Sequence, residues 1–292
     1  MSTPPCRVCG SGTRVTHEGL VLGRHHVRYH LCDSCDHWFT DEPWWLAEAY
    51  SAAISAADTG LVLRNTMVAR DLTAVLGGLF DDGPFVDWAG GYGMLVRLMR
   101  DAGFDFRWAD AYAENLLARG FDWTPGGRSE AVTAIEVLEH VPDPVGFVQE
   151  CLDGAGTDTI IFSQELHHGP DQDWWYLTPA TGQHISFYTS RTLSVMGERL
   201  GLHLHSSPRL HMLTRRDLPA GRFSRLVRRS RLLAPWYARR RESLMHPDHR
   251  AMLRRLAEAG GGSAADGADA SGGADGPDGA DAGAAGPQDR PR

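Results

Sequence analysis

The chain has 292 residues, enough for one large domain with appendages or for two small domains. It is 42% hydrophobic and 23% charged, which is the composition of an ordinary soluble protein. No run of 18 apolar residues occurs, and the start of the chain lacks a basic segment followed by an apolar one. We therefore expect no transmembrane helix, no secretory signal and a cytoplasmic location. The net charge is −8 and all 29 basic residues are arginine, which excludes lysine chemistry.

Two pairs of cysteines lie near the start of the chain. Cys6 and Cys9 form one Cys-x-x-Cys pair, Cys32 and Cys35 form the other, and 22 residues separate them. In a reducing compartment this spacing predicts a tetrahedral zinc ion held by four thiolates, in preference to two disulfides or a redox pair. Such a site is coordinatively closed, so the zinc would be structural. Replacement of one thiolate by a nearby histidine stays open; the candidates are His17, His25, His26, His30 and His37.

The zinc-binding module is predicted to span residues 1–42, and a helical cap to follow at 43–83, where apolar residues recur near helical spacing. Residues 84–213 alternate short apolar segments with helical stretches. Strands are predicted at 85–88, 106–109, 130–135 and 159–162, and helices at 94–102, 144–152 and 190–200. Strands that alternate with helices indicate βαβ units and a parallel sheet, so the fold class is α/β.

The first of these strands runs into a glycine-rich turn, Val86-Asp87-Trp88-Ala89-Gly90-Gly91-Tyr92-Gly93. Glycines let a backbone turn tightly and approach a ligand, and the helix that follows presents free N–H groups. A turn used only for packing has the same pattern. The second strand ends at Asp110, whose carboxylate is suited to accept hydrogen bonds from ribose hydroxyls. Together the two features favour a nucleotide-type ligand.

The third strand leads into Glu136-Val137-Leu138-Glu139-His140-Val141-Pro142-Asp143. With the turn after Asp87 and the strand end at Asp110, this order resembles the class I S-adenosylmethionine (SAM) dependent methyltransferases over residues 84–205. Ala89 stands where the family's usual loop has its first glycine, and alanine disfavours positive φ. The resemblance implies a Rossmann-like, doubly wound and mostly parallel sheet of seven strands.

The same resemblance implies a SAM site. Its residues would be Asp87, Ala89, Gly90, Gly91, Gly93, Asp110, Ala111, Tyr112 and Glu136. The first five would face the methionine part of SAM. Asp110 would bind the ribose, Ala111 and Tyr112 would lie near the adenine, and Glu136 would lie beside the sulfonium.

A zinc module in front of such a domain resembles the sugar C-methyltransferases of antibiotic and polysaccharide biosynthesis. Residues 181–189 are similar to their Glu-His-x-Ser-Tyr-Phe segment, with Gln183 in place of the glutamate. This resemblance implies O- or C-methylation of a small molecule that contains a sugar, such as a sugar nucleotide or a glycosylated metabolite. Two alternatives stay open: a ribosomal RNA methyltransferase, and a non-catalytic SAM-fold binding module suggested by Ala89 and Gln183.

Methyl transfer to a hydroxyl or a carbon acid requires a base, and histidine suits this role near neutral pH. His184 is the leading candidate, and His140, just after the third strand, is the second. Helix capping or loop packing is an equal interpretation of His140. Tyr50 resembles a tyrosine that caps the substrate pocket in this family, with helix core as the alternative. Arg64 either contacts the cofactor or acceptor or lies on the surface.

Residues 214–258 are rich in arginine and are predicted to form helices broken at Pro235 and Pro247. A solvated helical face is the default interpretation. Binding of nucleic-acid phosphates and peripheral contact with an anionic membrane surface stay open. Residues 259–292 are mostly Gly, Ala, Asp, Ser and Pro, which predicts a disordered tail. The sequence does not indicate an oligomeric state.

Overall fold

The computed structural model describes residues 3–50 and 58–262. The strands in these residues, β1–β10 in chain order, are Thr13–Val21, His25–Cys32, Trp38–Thr40, Phe85–Trp88, Phe106–Ala109, Ala131–Ala134, Thr159–Phe162, Ser186–Phe187, His203–Ser206 and His211–Thr214. The α-helices, α1–α8, are Leu46–Ala49, Leu61–Leu79, Met94–Asp101, Pro144–Ala155, Ser190–Leu200, Arg222–Arg228, Ser230–Ala238 and Met245–Gly262. Short 3₁₀ turns cover Leu138–His140 and Trp175–Leu177.

The larger sheet has the strand order β5-β4-β6-β7-β10-β9. Strands β5, β4, β6 and β7 are parallel, whereas β10 runs antiparallel to both β7 and β9. The four strands predicted in this part of the chain coincide with β4–β7 to within a residue at each end, so the mostly parallel α/β core is confirmed. Every residue of β6 and β7 is buried, as expected for strands covered on both faces.

The described residues place six strands in the larger sheet instead of the seven predicted. Beyond the edge strand β5, the chain makes a single parallel bridge between Trp108 and Asp122. The Trp108 N–H donates to the Phe121 carbonyl at 2.9 Å, and the Trp123 N–H donates to the Trp108 carbonyl at 2.7 Å. Left-handed glycines lie on both sides of this bridge, at 120 and 126, so the chain turns before the pairing can extend.

Helices cover both faces of the larger sheet because successive strand residues point to opposite sides. Phe85 packs in one buried cluster with residues of α2 and α3, such as Leu72 and Met99. Its neighbour Val86 packs in the other cluster with residues of α4 and α5, such as Val148. The sheet is therefore doubly wound.

A small antiparallel sheet with the order β1-β2-β3-β8 forms next to the cysteines, and the sequence did not predict it. Its fourth strand, β8, comes from the middle of the chain. Trp38 pairs with Phe187 and Phe39 pairs with Ser186. The side chains of Trp38 and Phe187 are fully buried in one aromatic core with Tyr29. The small sheet therefore joins the N-terminal residues to the segment that carries His184.

The helical cap predicted at 43–83 corresponds to α1 and α2, and residues 51–57 between them lie outside the described residues. The predicted breaks at Pro235 and Pro247 were wrong, because Pro235 lies inside α7 and Pro247 in the first turn of α8. In a first turn the missing proline N–H costs nothing, since those N–H groups have no partner within the helix.

Most of the predicted tail, from residue 263 onwards, lies outside the described residues. Within the described ranges no helix is long and apolar enough to span a bilayer.

Candidate active site

Two turns at the carboxyl edge of the larger sheet contain left-handed backbone. After β4, φ is 55° at Ala89, 53° at Gly91 and 83° at Gly93, and after β6 it is 55° at Glu136. This region costs an L-residue about 1–2 kcal/mol, and residues held there cluster at functional sites. Ala89, which replaces the usual glycine of the resembled family, thus keeps a glycine-type conformation.

The loop at residues 89–93 is closely packed on its inner side and open elsewhere. A Cβ on Gly90 would lie 2.9 Å from Asp87 Oδ2, and a Cβ on Gly93 would lie 3.0 Å from the Ala118 Cβ. A Cβ on Gly91 would meet nothing within 4 Å. Glycine is therefore required for packing at 90 and 93, and the open side at Gly91 leaves room for a ligand.

Asp87 lies beneath this loop. Its side chain is buried, and Oδ1 accepts a hydrogen bond from Thr133 Oγ1 at 2.7 Å. Burial raises the pKa of Asp87 to about 7, and the negative charge of Asp110 adds to the effect. Asp87 thus supports the loop from inside, and its predicted direct contact with the methionine part of SAM stays a prediction.

Asp110 ties the loop after β4 to the turn after β5. Its Oδ2 accepts from the Gly91 N–H at 2.9 Å, and its Oδ1 accepts from the N–H groups of Tyr112 at 2.7 Å and Ala113 at 2.8 Å. A carboxylate offers about four lone-pair positions, so one remains for a ribose hydroxyl. Ala111 and Tyr112 are exposed beside it, with the Tyr112 side chain almost entirely in solvent.

Glu136 follows β6 and is held by Ser163, which follows β7. The Glu136 N–H donates to Ser163 Oγ at 2.8 Å, and the Ser163 hydroxyl donates to Glu136 Oε1 at 2.6 Å. Burial raises the pKa of Glu136, and the nearby charge of Glu139 raises it further. The carboxylate is therefore fixed at the carboxyl edge between the ends of β4 and β7.

The two candidate bases lie edge to face, with 4.9 Å between the ring centroids of His140 and His184. His140 Nδ1 lies 3.0 Å from the Gln183 carbonyl oxygen, and His184 Nδ1 lies 2.6 Å from that of Tyr176. A carbonyl oxygen only accepts, so each Nδ1 carries the proton and each Nε2 keeps its lone pair. Burial lowers the pKa of both rings, that of His184 to about 4, so both are neutral near pH 7.

Glu139, which the sequence analysis did not select, completes this cluster. Tyr176 Oη donates to Glu139 Oε1 at 2.7 Å, whereas Oε2 is buried with no hydrogen-bond partner among the described residues. Ligand-type atoms of Glu139, His140 and His184 all lie within 4.8 Å of one another. Burial raises the pKa of Glu139, and the charge interaction with His184 lowers it. A carboxylate in this position stabilises a proton on His184.

Arg64, on α2, supplies positive charge to the same region. Its guanidinium donates two hydrogen bonds to Asp58, at 3.0 and 2.6 Å. The Arg64 charge lowers the pKa of both Glu136 and Glu139. Arg64 is thus part of the electrostatics of the candidate site.

Tyr50 and Gln183 both lie next to His140. The Tyr50 ring centroid is 6.0 Å from that of His140, and the Tyr50 side chain is 40% exposed, which suits a pocket wall better than a helix core. Gln183 Nε2 donates to the Ala49 carbonyl at 2.9 Å. Gln183, which replaces the glutamate of the resembled segment, thus anchors the end of α1. The carboxylate near His184 comes from Glu139 instead.

The four cysteine sulfurs lie within 4.8 Å of one another. Sγ–Sγ distances are 3.5 Å for Cys6 and Cys35 and 3.4 Å for Cys9 and Cys32. Four Zn–S bonds of about 2.3 Å in a tetrahedron place sulfurs about 3.8 Å apart, and a disulfide needs about 2.05 Å, so this donor set fits zinc. Of the five histidines considered, His37 approaches the cluster, with Nδ1 3.7 Å from Cys6 Sγ.

Hydrogen bonds to backbone carbonyls connect the cysteine cluster to the histidine pair. The Thr192 hydroxyl donates to the Cys35 carbonyl at 2.8 Å. The Thr40 N–H donates to the Ile185 carbonyl at 3.0 Å, and the Ile185 N–H donates to the Glu139 carbonyl at 2.8 Å. Ile185 directly follows His184, so the small sheet holds the His184 segment against the turn that carries Glu139 and His140.

Comparison with known protein families decides the class of the chain. Residues 63–207 match the family model described as a methyltransferase domain. The chain is an S-adenosylmethionine-dependent methyltransferase.

No curated protein matches the methyltransferase by sequence. Among solved structures, it is similar to magnesium protoporphyrin IX methyltransferase from Synechocystis PCC 6803 with bound SAM, at 15% identity over 59% of this chain and 89% of that chain, with a TM-score of 0.39. It is also similar to 1,6-didemethyltoxoflavin-N1-methyltransferase from Burkholderia thailandensis, at 12% identity over 65% of this chain and 96% of that chain, with a TM-score of 0.45. Neither likeness is strong enough to carry an argument about the acceptor.

The methyltransferase brings its predicted residues together in two groups at one edge of the larger sheet. We call residues 89–93 and Asp110 the cofactor side, after the role proposed for them below. We call Glu139, His140 and His184 the acceptor side for the same reason, and Glu136 lies between the two groups. Sequence reasoning missed Glu139, although its position directly before His140 was an available signal.

Proposed function

We propose that this methyltransferase transfers the SAM methyl group to a hydroxyl or carbon acid of a small, sugar-containing acceptor, with His184 as the base. The observation that carries the proposal is the hydrogen bonding of the histidine pair, which engages Nδ1 of each ring with a backbone carbonyl oxygen. Nδ1 of His184 is bound to the Tyr176 carbonyl, and burial keeps the ring neutral, so Nε2 is free to accept a proton. His140 is the second candidate base for the same reason.

Bound SAM would supply an activated methyl group on its sulfonium. The open space beside the Gly91 Cα, the remaining lone pair of Asp110 and the strained turn at Glu136 fit a ligand at this edge. We assign SAM binding to residues 89–93, Asp110, Ala111, Tyr112 and Glu136, with Asp87 beneath the loop.

In this proposal His184 takes the acceptor proton on Nε2. The imidazolium that forms is stabilised by the Glu139 carboxylate, and the Tyr176 carbonyl keeps the ring in one orientation. The positive charge of Arg64 favours the ionised carboxylates of Glu136 and Glu139 beside the reacting atoms, because it lowers the pKa of both groups.

We further propose that Cys6, Cys9, Cys32 and Cys35 hold a structural zinc ion. The donor set and its spacing support it, and zinc would hold the small sheet together where the apolar core is small. The same metal would then stabilise the His184 segment through β3 and β8.

The sugar-containing acceptor rests on the resemblance of residues 181–189 and on nearby aromatic side chains. Trp175 is 69% exposed, and an exposed indole suits the face of a sugar ring. The RNA alternative depends on arginines around residues 209–258. Three of these are paired with carboxylates, as Arg209 with Asp71, Arg216 with Glu130 and Arg241 with Asp82, which favours a structural role for that face.

The test is incubation of the protein with labelled SAM and fractionated cell extract, followed by mass identification of the labelled product. A labelled small molecule that survives ribonuclease treatment supports the proposal. Label that is lost on ribonuclease treatment would identify an RNA methyltransferase instead. Calorimetry that detects no SAM binding would refute the assignment of the cofactor site, and SAM binding without transfer to any fraction would indicate a binding module.

A further inference from the structure

The acceptor side contains a set of possible metal ligands, a capacity on which the methyl-transfer proposal does not draw. Glu139, His140 and His184 each offer one ligand atom, and these atoms lie within 4.8 Å of one another. Two imidazoles and one carboxylate form a common ligand set for divalent transition metals in proteins. The cluster is separate in sequence from the four cysteines and contains no sulfur.

The hydrogen bonds of the two rings favour metal binding. Metal-bound histidines commonly donate their other N–H to a backbone carbonyl or carboxylate, which fixes the tautomer and the ring orientation. His140 meets the Gln183 carbonyl and His184 meets the Tyr176 carbonyl, in both cases through Nδ1. Each Nε2 therefore presents a lone pair, held in place before any ion arrives.

Glu139 provides the second, independent indication. Its side chain is completely buried, and Oε2 has no hydrogen-bond partner among the described residues. A buried carboxylate oxygen without a partner is costly, and a bound cation would remove that cost. Tyr176 Oη holds the other oxygen at 2.7 Å, so the carboxylate cannot rotate freely to find another partner.

We propose that Glu139, His140 and His184 form a second metal site, for a divalent transition ion such as Zn²⁺ or Co²⁺. Two nitrogen ligands and one carboxylate oxygen suit these ions, whereas Mg²⁺ and Ca²⁺ prefer oxygen ligands alone. Three protein ligands leave at least one position open for water. The Arg64 charge opposes a cation here, and its two hydrogen bonds to Asp58 offset that charge.

The site has a consequence for methyl transfer, and this consequence alone rests on the proposed function. An ion bound to Nε2 of both rings leaves neither histidine free to take the acceptor proton. Added Zn²⁺ therefore inhibits transfer, and a mild chelator restores it while the four-cysteine ion stays bound.

The test measures metal content and not activity. The full-length protein is loaded with Co²⁺, dialysed, and analysed by mass spectrometry and absorption. We expect two ions per chain: one with the intense near-ultraviolet thiolate-to-cobalt band, and one with weak visible bands only. His184→Ala and Glu139→Gln should each reduce the content to one ion and keep the thiolate band, whereas His203→Ala, which removes an exposed histidine on β9, should keep both ions.

One ion per wild-type chain, with the thiolate band present, would overturn the second site. Two ions retained in both His184→Ala and Glu139→Gln would overturn it as well. An unchanged thiolate band shows that a variant is folded around the cysteines, so loss of the second ion cannot be attributed to unfolding. Failure of the proposed function would appear separately, as methyl transfer that survives in His184→Ala.

Discussion

The cofactor side and the acceptor side of this methyltransferase are built in different ways. On the cofactor side, Gly91 and Asp110 are 19 positions apart and lie at the ends of adjacent parallel strands. On the acceptor side, His140 and Gln183 are 43 positions apart, and Gln183 reaches Ala49 across 134 positions. The cofactor side therefore follows from local chain geometry, whereas the acceptor side depends on the small sheet. Changes to the small sheet should therefore affect the acceptor side and leave SAM binding intact.

The largest effect is expected from His184→Ala. General-base catalysis contributes typically 10²–10⁴-fold, so methyl transfer should fall by about that factor. SAM affinity, measured by calorimetry, should stay within about twofold of the wild type. His203→Ala serves as the matched control. A large loss of SAM affinity in His184→Ala would place His184 on the cofactor side instead.

Cys32→Ser should lower transfer by about tenfold or more, because loss of a thiolate would weaken the proposed zinc site and loosen the small sheet that holds His184. Hydrogen exchange should increase in β1–β3 and β8, while β4–β7 stay protected. Cys151→Ala, which removes a buried thiol on α4 that is not one of the four clustered cysteines, is the control. Equal loss of protection in both sheets would show that the two sides are not independent.

Asp110→Asn tests whether the cofactor side can be changed without an effect on the acceptor side. Loss of a charged hydrogen-bond acceptor at the proposed ribose position should weaken SAM binding by about tenfold, equivalent to about 1.4 kcal/mol. Transfer at saturating SAM should change little, because the histidine pair is untouched. A fall in turnover at saturation with unchanged SAM affinity would contradict the assignment.

The pH dependence of turnover examines the acceptor side when SAM is saturating, so that any effect of Asp87, whose pKa is raised to about 7, on SAM affinity does not limit the rate. A histidine base is active when neutral, so activity is lost as pH falls through its pKa. Burial lowers the pKa of His184 to about 4, against the opposing charge of Glu139. Turnover at saturating SAM should therefore fall by less than about twofold between pH 7.0 and 5.5, whereas a base with the ordinary pKa of about 6.5 would lose about tenfold. An acid limb near pH 6.5 would argue for an exposed base.

The smallest effect is expected from Ala89→Gly. Glycine removes the left-handed strain at φ 55° and adds chain entropy to the unfolded state, so the free energy of unfolding should rise by only about 0.5 kcal/mol. Denaturant titration measures it, with Ala109→Gly on β5 as a destabilising control. A loss of stability in Ala89→Gly would mean that the loop has adapted to alanine.

The different construction of the two sides also explains what the sequence could predict. The strands at 85–88, 106–109 and 159–162 and the loop after Asp87 were predicted because their patterns are local. The small sheet was not, since β8 has two residues and exists only because Trp38 and Phe39 pair with them. Glu139 was missed because its relation to His184 depends on that pairing. The helix through Pro235 shows how tertiary packing overrides a local helix-breaking signal.

Strand β8 also has a consequence for how such enzymes diverge. Residues 38–40 and 186–187 share one hydrogen-bonded register, and a shift by one residue would turn every side chain of β8 to the opposite face. Mutations in the two segments should therefore be accepted in pairs over evolution. A chimaera that exchanges residues 181–189 between related enzymes should keep its acceptor chemistry only when β3 is exchanged with them.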